Sequence, residues 1–309
     1  MTKENLQGCL WMLVSVFAAA SLSIGVREAG DNLHSMQITF VRCVIGLIII
    51  LPWIYFWDHS ASKKNKPDYR SPFSYSPQWK LLVLRGLLMT GAMNFGFYSL
   101  TKIPLATVTV LFFTAPLFVT MIAGPCLNEE VGWRRWLATI LGFAGAFVSL
   151  NPETSDFNWV LLAPFAASSM FAISLIIGKH LSKTESANVI LLYTSTVTTI
   201  GSFIPAMLVW KHITISTFFL TFGVAVFALI RTYADIRAYA AGEASFIAPF
   251  SYLRLVLVCI GGYLFFGEVP ETTVYWGGAI IIGSSIYIAH RETTHKRSIS
   301  SPSAEPGGD

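Results

Sequence analysis

The stretch FALIRTYADIRAYAAGEASFIAPFSYLRLVLVCIGGYLFFGE, Phe227 to Glu268, decides how this chain reads. Arg231, Asp235, Arg237 and Arg254 stand in it within runs apolar enough to lie in a bilayer. A charge near the bilayer centre costs roughly 2.5 to 3.5 kcal/mol on insertion scales, so such residues face a partner or a wet cavity. The stretch reads as the floor of a transport site if the rest of the chain is a membrane bundle.

Composition supports that condition. Of 309 residues, 54% are hydrophobic and only 12% charged, with mean hydropathy +0.59. Soluble domains carry about 25% charged residues, so this chain cannot be wetted over its whole surface. Its apolar runs are about 20 residues long rather than alternating ten-residue strands, which predicts helices and not a barrel. Ten spans are expected, at 8–26, 36–57, 79–100, 105–126, 133–150, 158–178, 187–210, 215–239, 245–266 and 272–290. The first has Lys3 before an apolar run that includes Ala18, Ala19 and Ala20, like a signal peptide, but nine similar runs follow and it reads as an uncleaved span. Cys9, Cys43, Cys126 and Cys259 fall in separate apolar segments without metal-ligand spacing, and read as packing residues. Trp53, Trp57, Trp79, Trp133, Trp136, Trp159, Trp210 and Trp276 sit near span ends, as interfacial anchors do.

Lysines and arginines set the orientation, because cytoplasmic loops retain them. With the N-terminus inside, the inner segments hold Lys3, Lys63, Lys64, Lys66, Arg70, Lys80, Arg134, Arg135, Lys179, Lys183, Arg291, Lys296 and Arg297, and the outer ones only Arg27, Lys102 and Lys211. Both termini are therefore expected in the cytoplasm. The basic loop at 58–78 suits anionic lipid, and the tail at 291–309 has the composition of disorder.

The chain also repeats itself. Phe17-Ala18-Ala19-Ala20-Ser21 returns 148 residues on as Phe165-Ala166-Ala167-Ser168-Ser169. At a spacing of 138, Ala106, Thr107, Phe112, Leu117 and Glu130 fall on Ala244, Ser245, Phe250, Leu255 and Glu268. Two units follow, 8–150 and 157–290, each of five spans. An odd number of spans makes consecutive repeats enter the membrane in opposite directions, and inverted repeats of this kind place a transport site near the midplane.

The segments LRGLLMTGAMNFGFYSLTKIPLATVTVLFFTAPLFVTMIA from Leu84, LNEEVGWRRWLATILGFAGAFVSL from Leu127 and GEASFIAPFSYLRLVLVCIGGYLFFGEVPE from Gly242 resemble the EamA-domain carriers of the drug/metabolite transporter superfamily. The likeness covers about residues 8 to 290. It implies a multi-pass carrier of the bacterial inner membrane with a cavity between two five-helix halves, moving amino acids, their derivatives, nucleoside-like metabolites or riboflavin-like vitamins. The segment Leu33 to Pro52 is most similar to carriers that take up S-adenosylmethionine. Export of amino acids or drugs is the alternative direction.

The residues predicted to meet cargo follow from helix geometry. Arg231, Asp235 and Tyr239 share one face of span eight, four residues apart. Asp235 either exchanges a proton or binds a substrate amine there, or it closes an ion pair with Arg231. Arg254, expected midway along span nine beyond Pro249, suits a substrate carboxylate or phosphate, or a static pair with Asp235. Tyr252, Tyr98, Asn94 and Thr114 are polar groups at membrane depth, and Trp11 offers a ring to a planar ligand. Arg42 reads either as a gate residue or as a headgroup anchor, and Arg85 snorkels. Ala138, Gly142 and Ala146, with Ala279 and Gly283, repeat small residues every four positions and suit helix packing or a homodimer face. The expected partners are a small-molecule substrate, the bilayer, and a proton or counter-substrate, without nucleic acid or cofactor.

Rival classes are weaker. ATP-driven pumping wants a G-x-x-x-x-G-K-[ST] loop, which the chain lacks. A membrane enzyme wants a nucleophile with its base, or a metal cluster; none of His34, His59, His180, His212, His290 and His295 lies deep in a span. A channel wants a ring of charge rather than one asymmetric cationic site.

Overall fold

In hydrocarbon, a helix satisfies its own backbone groups within the segment. The computed structural model describes residues 3–58, 76–127, 133–149, 159–182, 184–241 and 248–300, and among these residues it holds helices and no strand. In chain order they are α1 (Lys3–Ala29), α2 (Ser35–Asp58), α3 (Trp79–Lys102), α4 (Leu105–Phe112), α5 (Ala115–Leu127), α6 (Trp133–Ser149), α7 (Ala163–Leu181), α8 (Ala187–Leu208), α9 (Ile215–Ala241), α10 (Leu253–Phe266) and α11 (Thr272–Ser300). Short 3-10 turns, Trp159–Leu162 and Ala248–Tyr252, lead into α7 and α10. Among the described residues, seven segments are long and apolar enough to cross a membrane; Trp136–Ser149 and Phe250–Phe266 are shorter apolar helices. The basic loop expected at 58–78 lies outside the described residues from 59 to 75, as do residues 301–309 of the expected tail, while α11 continues helically to Ser300.

Two prolines reshape what periodicity alone predicts. The segment expected at 105–126 breaks after Phe112, because Pro116 has no N–H for the Phe112 carbonyl and its ring crowds that oxygen. The chain tightens there: the Thr114 N–H donates to Leu111 O at 3.1 Å and the buried Thr114 hydroxyl donates to the same carbonyl at 2.6 Å. Of the segment expected at 245–266, residues 245–247 lie outside the described residues, and the regular helix of the described part starts at Leu253, after the turn that contains Pro249. Arg254 is therefore the second residue of α10, since proline suits the start of a helix and breaks its middle.

Packing is reversed relative to a soluble protein. Phe17, Ile140, Phe147, Ile204, Leu208 and Phe219 are exposed, and so are Trp79, Trp133, Trp136, Trp159, Trp210 and Trp276. Inside, Ser23, Thr39, Thr90, Ser99, Thr198, Ser202 and Thr221 are buried, each hydroxyl donating to the carbonyl four residues back at 2.7 to 2.9 Å. That bond removes the cost of placing a hydroxyl away from water. Helix α1 packs against α9 and α10, α2 against α8 and α9, α3 against α7 and α8, and α6 against α11. The largest apolar cluster, with Val26, Leu33, Ile38, Leu100, Leu105, Val108 and Val258, ties α1 to α2, α3, α4 and α10.

Close approach depends on glycine at two crossings. A methyl on Gly86 would lie 2.5 Å from Val197 Cβ, and one on Gly277 would lie 2.3 Å from Gly145 O. Of the small-residue stripes, Ala138 and Ala146 are buried and a methyl on Gly142 would meet Leu117. Ala279 is exposed and a methyl on Gly283 would meet nothing within 4 Å, so that second stripe faces outward. Cys9, Cys43 and Cys259 are free thiols.

Candidate substrate site

Arg254 enters the bundle from the first turn of α10 and is 9% exposed. Its Nη2 donates to Ser23 Oγ on α1 at 3.0 Å, and the guanidinium lies 5.9 Å from the centre of the Phe112 ring at the end of α4. Its Nε has no acceptor among the described residues. A guanidinium held by one hydroxyl and one aromatic face is oriented but not neutralised. The break at Thr114 and the late start of α10 are what bring Phe112 and Arg254 to this place.

Asp235 stands on α9, where its Oδ1 accepts a short hydrogen bond from Ser15 Oγ on α1. Its Oδ2 lies 3.8 Å from Arg231 Nε one turn back, a loose ion pair with both side chains half-buried. Asp235 and Arg231 are both near enough to act electrostatically on Arg254, yet the hydrogen bond of Arg254 goes to Ser23. Helix α1 thus presents Ser15 to the carboxylate and Ser23 to the cation, eight residues apart on one face. The site has two poles, an acceptor at Asp235 and a donor at Arg254.

The other predicted residues divide. Asn94 on α3 donates from Nδ2 to Thr90 O at 2.9 Å and leaves a buried Oδ1 without a partner among the described residues. Tyr98, one turn on, is half-buried. Tyr252 packs edge-on to Phe113, ring centres 5.0 Å apart, beside the α4–α5 break. Thr114 is fully buried with its hydroxyl given to Leu111, so it shapes the break. Trp11 meets Tyr233 edge-on at 5.7 Å and carries Arg237 over its ring at 5.6 Å, which places both towards the end of α9. Tyr239 lies on α9, but its side chain is outside the described residues. Ser15, Ser23 and Phe112 were not predicted; hydroxyls repeated on one face of an apolar run were the available signal for the first two. No group of three metal-ligating side chains occurs among the described residues.

The two ends of the bundle are closed differently. At one, Arg27 Nη2 lies 3.0 Å from Glu268 Oε1, while Glu268 Oε2 accepts the Leu105 N–H at 2.7 Å at the start of α4. Gln37 and Lys211 exchange side-chain and backbone bonds at 2.7 and 3.0 Å beside it. At the other, Ser76 donates to Glu185 at 2.5 Å and Gln78 to Thr184 at 2.8 Å.

A helical bundle with apolar outer faces and a charged polar interior is what a carrier needs, and comparison with known proteins agrees. Residues 6–151 match the EamA-like transporter family. The chain is 33% identical over 301 residues to the S-adenosylmethionine uptake transporter of Rickettsia prowazekii, covering 97% of each protein. The chain belongs to the EamA-like transporter family. This EamA protein is also 30% identical to the riboflavin transporter of Vibrio cholerae, over 94% of this chain and 96% of that one. A solved structure described as "Crystal structure of protein" superposes with a TM-score of 0.61 at 15% identity, over 95% of this chain and 99% of that chain, a likeness of fold. As an EamA protein of the drug/metabolite transporter superfamily, the chain is a multi-pass transporter of the bacterial inner membrane, with a small molecule as cargo, and not an enzyme.

Proposed function

We propose that this carrier moves an amino-acid-derived metabolite by alternating access, driven by a proton or counter-substrate gradient. The α-carboxylate of the cargo binds Arg254 and its ammonium binds Asp235. The buried guanidinium, its Nε without an acceptor among the described residues and in electrostatic reach of a carboxylate on α9, carries the reading. An unpaired cation inside a bundle is costly unless an anion visits it. The names of the rickettsial relatives support S-adenosylmethionine or a compound built like it.

Ten crossings are proposed, with α4 and α5 together forming one and the turns before α7 and α10 completing two others. The contacts of Arg27 with Glu268 and of Gln37 with Lys211 support one end where the chain reverses near 30, 103, 210 and 268; those of Ser76 with Glu185 support the opposite end. On this reading the units 8–150 and 157–290 are inverted repeats, with both termini cytoplasmic.

Uptake of S-adenosylmethionine, riboflavin and a panel of amino acids into proteoliposomes tests the site. Arg254→Ala is expected to lower transport of the true cargo about 100-fold, the scale of a truncated buried charge contact, with folded protein retained. Full transport in both Arg254→Ala and Asp235→Asn would overturn the site.

A further inference from the structure

The two-pole site leaves positive charge without a counter-charge, and part of the surplus comes from Arg42 on α2. Among the described residues its Nη1 reaches only the thioether of Met93, at 3.1 Å, a weak acceptor. Its Nε has no acceptor among the described residues, and its guanidinium lies 5.7 Å from the centre of the Phe97 ring on α3. Stacking of this kind orients a guanidinium without discharging it. The carboxylate of Asp235 is engaged by Ser15 and Arg231.

Arg42 and Arg254 belong to one neighbourhood. Arg231 on α9 acts electrostatically on both. The ring under Arg42 is Phe97, and the residue before it, Gly96, faces Phe112, the ring under Arg254, so closely that a methyl there would lie 3.5 Å from it. Among the described residues, Arg42 and Arg254 therefore share one neighbourhood with the half-buried pair of Arg231 and Asp235, whose carboxylate is already engaged. Like charges in a low-dielectric interior repel strongly unless an anion joins them.

We infer that Arg42 is a second anion-holding residue of the cargo site, and that the cargo is an acidic amino-acid derivative with a second carboxylate or a phosphate in addition to its α-carboxylate. The inference rests on the transport reading above and, among amino-acid-derived cargoes, selects an acidic one against the S-adenosylmethionine that the rickettsial names support. A sulfonium cargo would add positive charge to this interior, whereas an acidic one removes the surplus. Arg42 grips the second acid, and the unpaired Asn94 Oδ1 takes a donor from the same molecule.

The test uses the purified full chain and two probe pairs matched in shape: L-glutamate against L-glutamine for the carboxylate, and O-phospho-L-serine against L-serine for the phosphate, with S-adenosylmethionine alongside. Thermal midpoints are read at constant ionic strength. At least one acidic probe is expected to raise the midpoint about 2–4 °C above its neutral partner, and Arg42→Gln is expected to remove that difference while raising the ligand-free midpoint through relief of repulsion. Should Arg42→Gln fail to fold, Arg42→Lys, which keeps the charge without the planar fork, weakens the preference without abolishing it. The inference is overturned if neither acidic probe exceeds its neutral partner, if the preference survives unchanged in these variants, or if S-adenosylmethionine gives the largest shift. Loss of transport in Arg254→Ala with Arg42→Gln silent defeats this inference alone, whereas undiminished transport in both Arg254→Ala and Asp235→Asn defeats the site itself.

Discussion

Among the described residues, Ser23 accepts the hydrogen bond that aims Arg254, with its own proton given to Ala19 O at 2.9 Å. Ser23→Ala is expected to leave the fold intact and raise the transport KM about tenfold, the effect of losing a hydrogen bond to a charged group; an unchanged KM would show that Phe112 alone orients the guanidinium. Reversing the poles, with Arg254→Asp and Asp235→Arg together, should restore folding without transport, and recovered transport would make the pair structural. His34 caps α2 outside the spans: its carbonyl accepts the Ile38 N–H at 3.1 Å and its Nδ1 accepts the Met36 N–H at 3.3 Å. Burial first, then Lys102 and Lys211, hold its pKa below the ordinary 6.5. The folded value lies below the unfolded one, so the unfolded chain takes the proton first. The stability tied to neutral His34 is complete above about pH 6.5 and declines as pH falls through 6.5 towards the lowered folded value. His34→Asn should flatten that part of a midpoint-against-pH curve, and an unaltered slope would assign it elsewhere.

At the scale of the element, Glu268 joins three helices at once. Gly267, in the left-handed conformation at φ 66°, ends α10 and turns Glu268 back towards Arg27 and the start of α4. Glu268→Ala leaves Arg27 with the Leu100 and Ile103 carbonyls but no counter-charge and uncaps α4, and is expected to cost about 3 kcal/mol in denaturation. Glu268→Gln keeps an acceptor for Leu105 and should cost less; equal losses would mean that the charge carries the whole effect and the acceptor contributes nothing. The crossing of α3 with α8 is a packing problem instead. Gly86→Val places carbon against Val197 and is expected to lower stability by about 1–3 kcal/mol, with Val197→Ala recovering most of the loss in the same denaturation assay.

For the whole molecule, the expected arrangement is ten crossings with cytoplasmic termini. In a chain freed of its four cysteines, Asn32→Cys should react with an impermeant reagent from outside intact cells and Lys80→Cys only after permeabilisation; the opposite pattern would invert the carrier. That arrangement rests on properties legible without coordinates. Charge content far below that of a soluble chain and runs of about 20 apolar residues determine a helical membrane protein, because hydrocarbon admits few other backbones. The segments from Leu84, Leu127 and Gly242 likewise point to the EamA family, and the charges Arg231, Asp235 and Arg254 are visible because such residues are rare in apolar runs. The partners of those charges were not legible. Ser15 and Ser23 look like ordinary helix serines until α1 is packed against α9 and α10, and Phe112 faces Arg254 only because Pro116 breaks one helix and Pro249 delays another. Arg42 had two readings in sequence, and only the placement of Phe97 and Arg231 turns it inward. Periodicity reports which residues avoid water, since that is a property of one helix; which of them meet is decided by how helices cross, and that depends on a few glycines, prolines and side-chain volumes acting over distances the sequence does not encode locally.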